Sequence, residues 1–175
     1  GAILVAPAVR GRASLPAWQR WGIDLAAVTI PWYPATGDGL DIQPTDNIAE
    51  LRRMSRDPNV IKATRMDSLY GLVDLMTAAQ AAAARQTTPL LLMYGLKDDL
   101  VPRAPTLAAL AALPSTAPAR PPHRVAVYPD GRHMLLRDLE SDRAIADIVA
   151  WIRAPRAPLP SGADQGAAQR LAAAR

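Results

Sequence analysis

Cysteine is absent from the 175 residues, which excludes disulfides, thiolate nucleophiles and cysteine-ligated zinc. Only two histidines occur, His123 and His133, too few for a histidine-rich metal site. Phenylalanine is missing too, and the basic residues are almost all arginine. The abundance of Ala, Arg and Pro over Lys and Phe reads as a coding bias. No apolar run approaches the roughly 18 residues that span a bilayer. No charged n-region precedes an apolar h-region, so no signal peptide is visible. The net charge of +4 and the pI of about 10 invite a nucleic-acid reading, but the arginines are scattered rather than gathered in a block. Nucleic acid is therefore not the expected partner. No internal repeat is evident.

What remains is a chain half hydrophobic, long enough for one domain or part of a larger one. Residues 2–6 form a continuous apolar run stopped by Pro7, as in a parallel strand covered on both faces. Residues 8–65 are broken by Pro16, Pro31, Pro34, Pro44 and Pro58 and carry Trp18, Trp21 and Trp32. Within them Asp46 or Asn47 can cap a short helix through Met54, with Ile48, Leu51 and Met54 on one face. The Asp57–Pro58 step ends that helix. The stretch at about 12–62 has the character of a lid inserted over a site.

From Asp67 to about Arg85 the pattern predicts a helix with Leu69, Leu72, Val73, Met76 and Ala83 on its apolar side. A strand at 90–94, a helix near 105–113, a Pro-rich loop at 114–122 and a strand at 124–128 follow. Leu139 to Arg153 predicts a second amphipathic helix, with Ile145, Ile148, Val149 and Ile152 inward and Asp138 or Ser141 as start signals. Strand–helix–strand–helix implies an α/β fold with parallel strands and right-handed crossovers. Residues 154–175 hold Pro, Gly, Ala and Arg without a period; the expectation is a mostly disordered tail with a frayed helix at 164–174.

Two strand ends carry chemistry. Residues 89–98, PLLLMYGLKD, end in a Gly-x-x-Asp turn that offers Asp98. Residues 125–133, VAVYPDGRH, end in a turn that offers His133. Adjacent parallel strands would bring both turns to the sheet end at which open α/β sheets bind ligands. Asp99 is the rival carboxylate, and Asp130 lies too close to His133 in sequence to orient it. An acid followed by a histidine, each just past a strand, is the back half of the Ser…Asp…His order of an α/β-hydrolase. The expected serine is missing: no Gly-x-Ser-x-Gly occurs, and Ser14, Ser55, Ser68, Ser115, Ser141 and Ser161 all lack the strand–elbow–helix setting. His123, after two prolines, reads as a surface residue. Trp18, Trp21, Trp32 and Tyr33 either pack the lid onto the body or also wall an acyl-chain pocket or touch a membrane surface.

These motifs resemble the C-terminal part of the monoacylglycerol lipase and lysophospholipase branch of the α/β-hydrolases, over roughly residues 1–153. GAILVAPAV at 1–9 resembles the strand after the nucleophile helix, WQR from Trp18 resembles the cap, and SRDPNVIK at 55–62 resembles the cap exit. YGLKDDLVP at 94–102 resembles the acid turn, which puts the acid on Asp98, and GRH at 131–133 resembles the histidine turn. The resemblance implies carboxylic-ester hydrolysis with Asp98 and His133 as catalytic residues, Trp18, Trp21 and Trp32 as lid residues that bind substrate, a lipid ester as substrate, and no cofactor or metal. It further implies a cytoplasmic protein with the lid as a point of peripheral membrane contact. The nucleophile and the oxyanion hole would lie upstream of Gly1, so the chain as given is expected to lack turnover. The competing readings are a truncated, non-catalytic product, and a lipid- or partner-binding module. An epoxide hydrolase or dehalogenase relative, with an aspartate nucleophile in the missing elbow, fits the same residues.

Overall fold

The computed structural model describes residues 1–37, 39–114 and 123–173. Ser115 and all but the first residue of the Pro-rich loop lie outside them. Three parallel strands form the central sheet: β1 (Ala2–Val5), β4 (Leu90–Gly95) and β5 (Arg124–Tyr128), in the order β1-β4-β5. Register runs from Ala2 opposite Leu90 to Val5 opposite Met93, and from Leu91 opposite Arg124 to Gly95 opposite Tyr128. Every residue of β4 is buried, as its unbroken apolar run requires of a central strand. β1 lies at the edge of these three strands; Leu4 is exposed and its other residues are partly buried. Just past β1, Ala6 sits at φ 44, a left-handed conformation costly for a residue with a Cβ.

Helices α3 (Met66–Ala82), α4 (Arg103–Ala112), α5 (Ser141–Arg153) and α6 (Ala167–Ala173) flank the sheet. Among the described residues no helix is long and apolar enough to cross a membrane. Between β1 and α3 run a 3-10 turn (Arg12–Ser14), α1 (Ala17–Thr29), β2 (Pro34–Thr36), α2 (Ile48–Arg56) and β3 (Ala63–Arg65), with β2 and β3 antiparallel. Asn47 caps α2, its side chain accepting from the Glu50 amide at 3.2 Å, and Asp57 ends it. Asp46, the other cap candidate, turns to the Leu139 amide at 2.8 Å. Arg12 fastens α1 to α3: its guanidinium donates to Asp74 and Asp24 at 2.6 Å each and lies 4.5 Å from the Tyr70 ring centroid. Those two carboxylates raise its pKa further above the ordinary arginine value.

Two helix faces differ from the apolar period. On α3 only Val73 is buried, while Leu72 and Leu75 are exposed. On α5 the buried face is Ala144, Asp147 and Trp151, with Ile148 partly buried; Ile145, Val149 and Ile152 are exposed. Asp147 explains the rotation. It accepts the Tyr128 hydroxyl at 2.7 Å, the Ser161 amide at 3.0 Å and the Ser161 hydroxyl. With three donors, a carboxyl tolerates full burial, and the face that holds it turns inward. Burial and Asp147 together push the Tyr128 phenol upward from its ordinary pKa.

The same network overturns the disordered tail. Residues 154–173 fold back on the sheet: Leu159 and Ala163 join the cluster of Leu91, Met93, Ala126 and Trp151, while Ala167 and Leu171 pack with Leu92, Tyr94 and Val127. The Val127 amide donates to the Ala163 carbonyl at 2.9 Å. Arg124 donates to Asp164 at 2.6 Å, with both side chains largely covered. A Pro, Gly, Ala and Arg composition without a period points to disorder, yet small residues pack closely against a sheet. Asp147→Ala is expected to destabilise the fold by about 3 kcal/mol, because it strands the buried Tyr128 hydroxyl and the two part-buried donors of Ser161. Urea unfolding checks this; a loss below about 0.5 kcal/mol, the scatter of unremarkable surface changes, would show the tail held by other contacts.

Candidate active site

Both candidate turns leave the same end of the sheet, and backbone pairing continues past the strands. The Leu96 amide donates to the Tyr128 carbonyl at 3.0 Å and the Lys97 amide to the Gly131 carbonyl at 3.0 Å. Asp98 and His133 are thereby brought together, Asp98 Oδ2 lying 3.0 Å from His133 Nδ1. The Asp98 side chain is 0% exposed and that of His133 24%. Asp98 Oδ1 accepts two backbone N–H groups, of Leu100 and Val101, each at 2.8 Å. An acid held on one oxygen by the backbone and facing an imidazole with the other fixes the ring and favours a proton on Nδ1. That leaves Nε2 free to act as a base.

The neighbouring carboxylates face elsewhere. Asp99 pairs with Arg132 at 3.0 Å. Asp130 pairs with Lys97 at 2.6 Å, and this ammonium draws its pKa below the usual carboxylate value. Tyr94, unremarked in an apolar strand, donates its hydroxyl to the Val101 carbonyl at 2.7 Å and so anchors the acid turn. Burial, with the Asp98 charge adding to it, pushes this phenol up to about 12.

Trp18, Trp21 and Trp32 do not join this pair. They are 73%, 77% and 66% exposed, so they do not pack the segment onto the body in the way one reading of the sequence expects. On α1, Trp18, Trp21, Leu25 and Val28 form one exposed apolar stripe. His123 is not the plain surface residue expected: both ring nitrogens are buried and lack a partner among the described residues. Ser14, Ser55 and Ser161 donate to Gly11, Arg52 and Asp147 respectively. Among the described residues no serine hydroxyl bonds His133, and no group of three or more His, Asp or Glu could hold a metal.

A cavity of about 360 Å³ lies beside the histidine turn, bounded by Tyr128, Gly131, Leu135, Asp138 and Arg143. Asp98, His133 and the three tryptophans do not line it.

The model of the serine aminopeptidase family S33 matches residues 1–140. Over 120 residues the chain is 28% identical to a monoacylglycerol lipase of Mycolicibacterium smegmatis, covering 62% of this chain and 41% of that protein. The crystal structure of a monoacylglycerol lipase from Paleococcus ferrophilus superposes with a TM-score of 0.67 at 20% identity, over 86% of this chain and 57% of that one. At that identity the likeness is one of fold. The chain thus spans less than two thirds of the length of either relative. With the family match extending from the first strand through the histidine turn, the chain belongs to the serine aminopeptidase S33 family of α/β-hydrolases.

Proposed function

We propose that this chain supplies the acid and the base of a serine carboxylic-ester hydrolase acting on a monoacylglycerol or a lysophospholipid. The observation that carries the reading is the buried Asp98 carboxylate, held by two backbone amides and set 3.0 Å from His133 Nδ1 at the strand ends of a parallel sheet. The nucleophile is a serine outside this chain. His133 Nε2 takes the hydroxyl proton as the serine attacks the ester carbonyl, then returns it to the departing alcohol. Water, deprotonated by the same nitrogen, releases the acid and regenerates the serine. Asp98 keeps the proton on Nδ1 and stabilises the imidazolium.

The similar monoacylglycerol lipase of Mycolicibacterium smegmatis supports a lipid ester as the substrate class. The segment at 12–62 serves as the cap, and its exposed tryptophan stripe meets either the acyl chain or a membrane surface. The test uses the natural gene product containing residues 1–175, assayed for fatty-acid release from monoacylglycerol, with an aminoacyl substrate alongside because of the family description. Ester turnover that falls at least about a thousandfold in His133→Ala is the expected result. Turnover indifferent to His133→Ala, or ligand binding without turnover in any natural product, would overturn the reading.

A further inference from the structure

The backbone on each side of His133 is tied down by groups remote from the Asp98 contact. On one side the Arg132 amide donates to Asp138 Oδ2 at 2.8 Å. On the other the Met134 amide donates to the Pro44 carbonyl at 2.8 Å. Asp138 is 6% exposed, and its Oδ1 has no partner among the described residues. The Asp138 amide reaches back to the Met134 carbonyl at 3.1 Å, and its carbonyl accepts the Ser141 amide at 3.0 Å at the start of α5. The turn is therefore a closed loop between α5 and the residue before the imidazole.

A strap from the segment before α2 completes the hold. Beside the Pro44 contact, the buried Thr45 hydroxyl donates to the Arg137 carbonyl at 3.3 Å. Asp46 accepts the Leu139 amide at 2.8 Å. Arg132 donates from Nη1 to the Gln43 carbonyl at 3.2 Å.

We propose that Asp138, seconded by the 43–46 strap, is a positioning residue that fixes the His133 turn; the proposal rests on reading His133 as the base. The choice of side chain points this way. A carboxyl taken out of water to receive a single backbone donor, with no partner for its second oxygen among the described residues, is a poor stabiliser. An apolar residue would fill the same space at less cost. What only an acceptor here provides is one direction for the Arg132 amide, and with it one position for the next residue's ring. Because the strap belongs to the segment between β1 and β3, the seating of that segment and the aim of His133 are mechanically one arrangement.

The experiment compares Asp138→Ala with Asp138→Asn in the natural gene product, reading kcat and KM with a monoacylglycerol and the ring nitrogen resonances of His133. Asp138→Ala is expected to lower kcat about 10- to 100-fold with KM changed less than about twofold, the scale of an ångström-sized misplacement. In the same variant the His133 ring signals move from a single Nδ1-protonated form toward an averaged one. Asp138→Asn keeps an acceptor oxygen and is expected to restore kcat to within about threefold. A full-rate Asp138→Ala, or an Asp138→Asn as slow as Asp138→Ala, overturns the proposal. If Asp138→Ala does not fold, Asp46→Ala decides: it releases the strap from Leu139, and unchanged kcat with unchanged His133 signals refutes the hold. Turnover that survives His133→Ala refutes the base assignment instead, and the ring signals still report whether Asp138 fixes the turn.

Discussion

Asp98→Asn is expected to lower kcat for ester hydrolysis by about 10⁴-fold while leaving the fold intact, the magnitude seen when the triad aspartate of a serine protease is amidated. The reason lies in which way the amide must face. Asp98 Oδ1 accepts from the Leu100 and Val101 amides, so the asparagine carbonyl has to take that position. The reverse orientation would set an NH₂ against two N–H donors. The NH₂ group therefore points at His133 Nδ1, where a carboxylate oxygen stood at 3.0 Å. A donor there obliges Nδ1 to accept, and the ring proton moves to Nε2. The nitrogen that should take the serine proton is then already protonated. Stability changes little, because both backbone bonds survive. The control is Asp99→Asn, which faces Arg132 and should stay within about threefold, since an exposed pair contributes little. Kinetics of the natural gene product, with circular dichroism to show folding, decide the matter. A loss in Asp98→Asn of less than about tenfold would mean that His133 is not tautomer-controlled by Asp98.

The residues that hold this geometry were legible to unequal degrees. β4 and β5 stand out as apolar runs between breakers, and the two turns follow from a glycine and a polar side chain just past each run. A cap at Asp46 or Asn47 is legible because either side-chain oxygen has an evident use at a helix start, and the structure gives the role to Asn47. Asp147 could not be read. An aspartate on a helix that also carries Ile145, Val149 and Ile152 looks like the wet side until Tyr128 and Ser161, distant in sequence, are seen to bond it. One such network rotates the buried face and fastens a tail whose alanine-rich composition suggests disorder. Asp138 was visible only as a helix-start signal, because its true partner is a backbone amide six residues earlier. Side chains that serve nearby backbone leave a trace in sequence; side chains that serve a remote turn leave none. The lid character of residues 12–62 rests on its proline breaks, its tryptophans and the resemblance of its WQR and Asp-Pro segments, and the structure leaves those tryptophans exposed.

Gly95→Ala is expected to cost about 3 kcal/mol or more, at the upper end of what overpacking a tight site does. It should also separate Asp98 from His133. A Cβ on Gly95 would lie 2.3 Å from the Gly131 carbonyl oxygen, 2.4 Å from its carbon and 2.7 Å from the Arg132 carbonyl oxygen. All three are backbone atoms, so no side-chain rotation relieves the clash. The two turns must move apart, and they are the turns that carry the acid and the histidine. The Lys97–Gly131 backbone bond at 3.0 Å crosses the same gap and would lengthen with it. Gly131→Ala makes the useful contrast. Its Cβ would first meet the Leu135 Cδ2 methyl at 2.4 Å, the end of a flexible side chain. Tyr128 Cβ at 2.9 Å is the next obstacle. The expected order of loss is therefore Gly95→Ala above Gly131→Ala, by at least about 1 kcal/mol. Urea midpoints give the order, and the His133 Nδ1 proton resonance, which depends on the short contact to Asp98, should vanish or shift upfield in Gly95→Ala. Equal midpoints with an unchanged resonance would mean that β4 and the histidine turn are not in the close contact that only a glycine at this position permits.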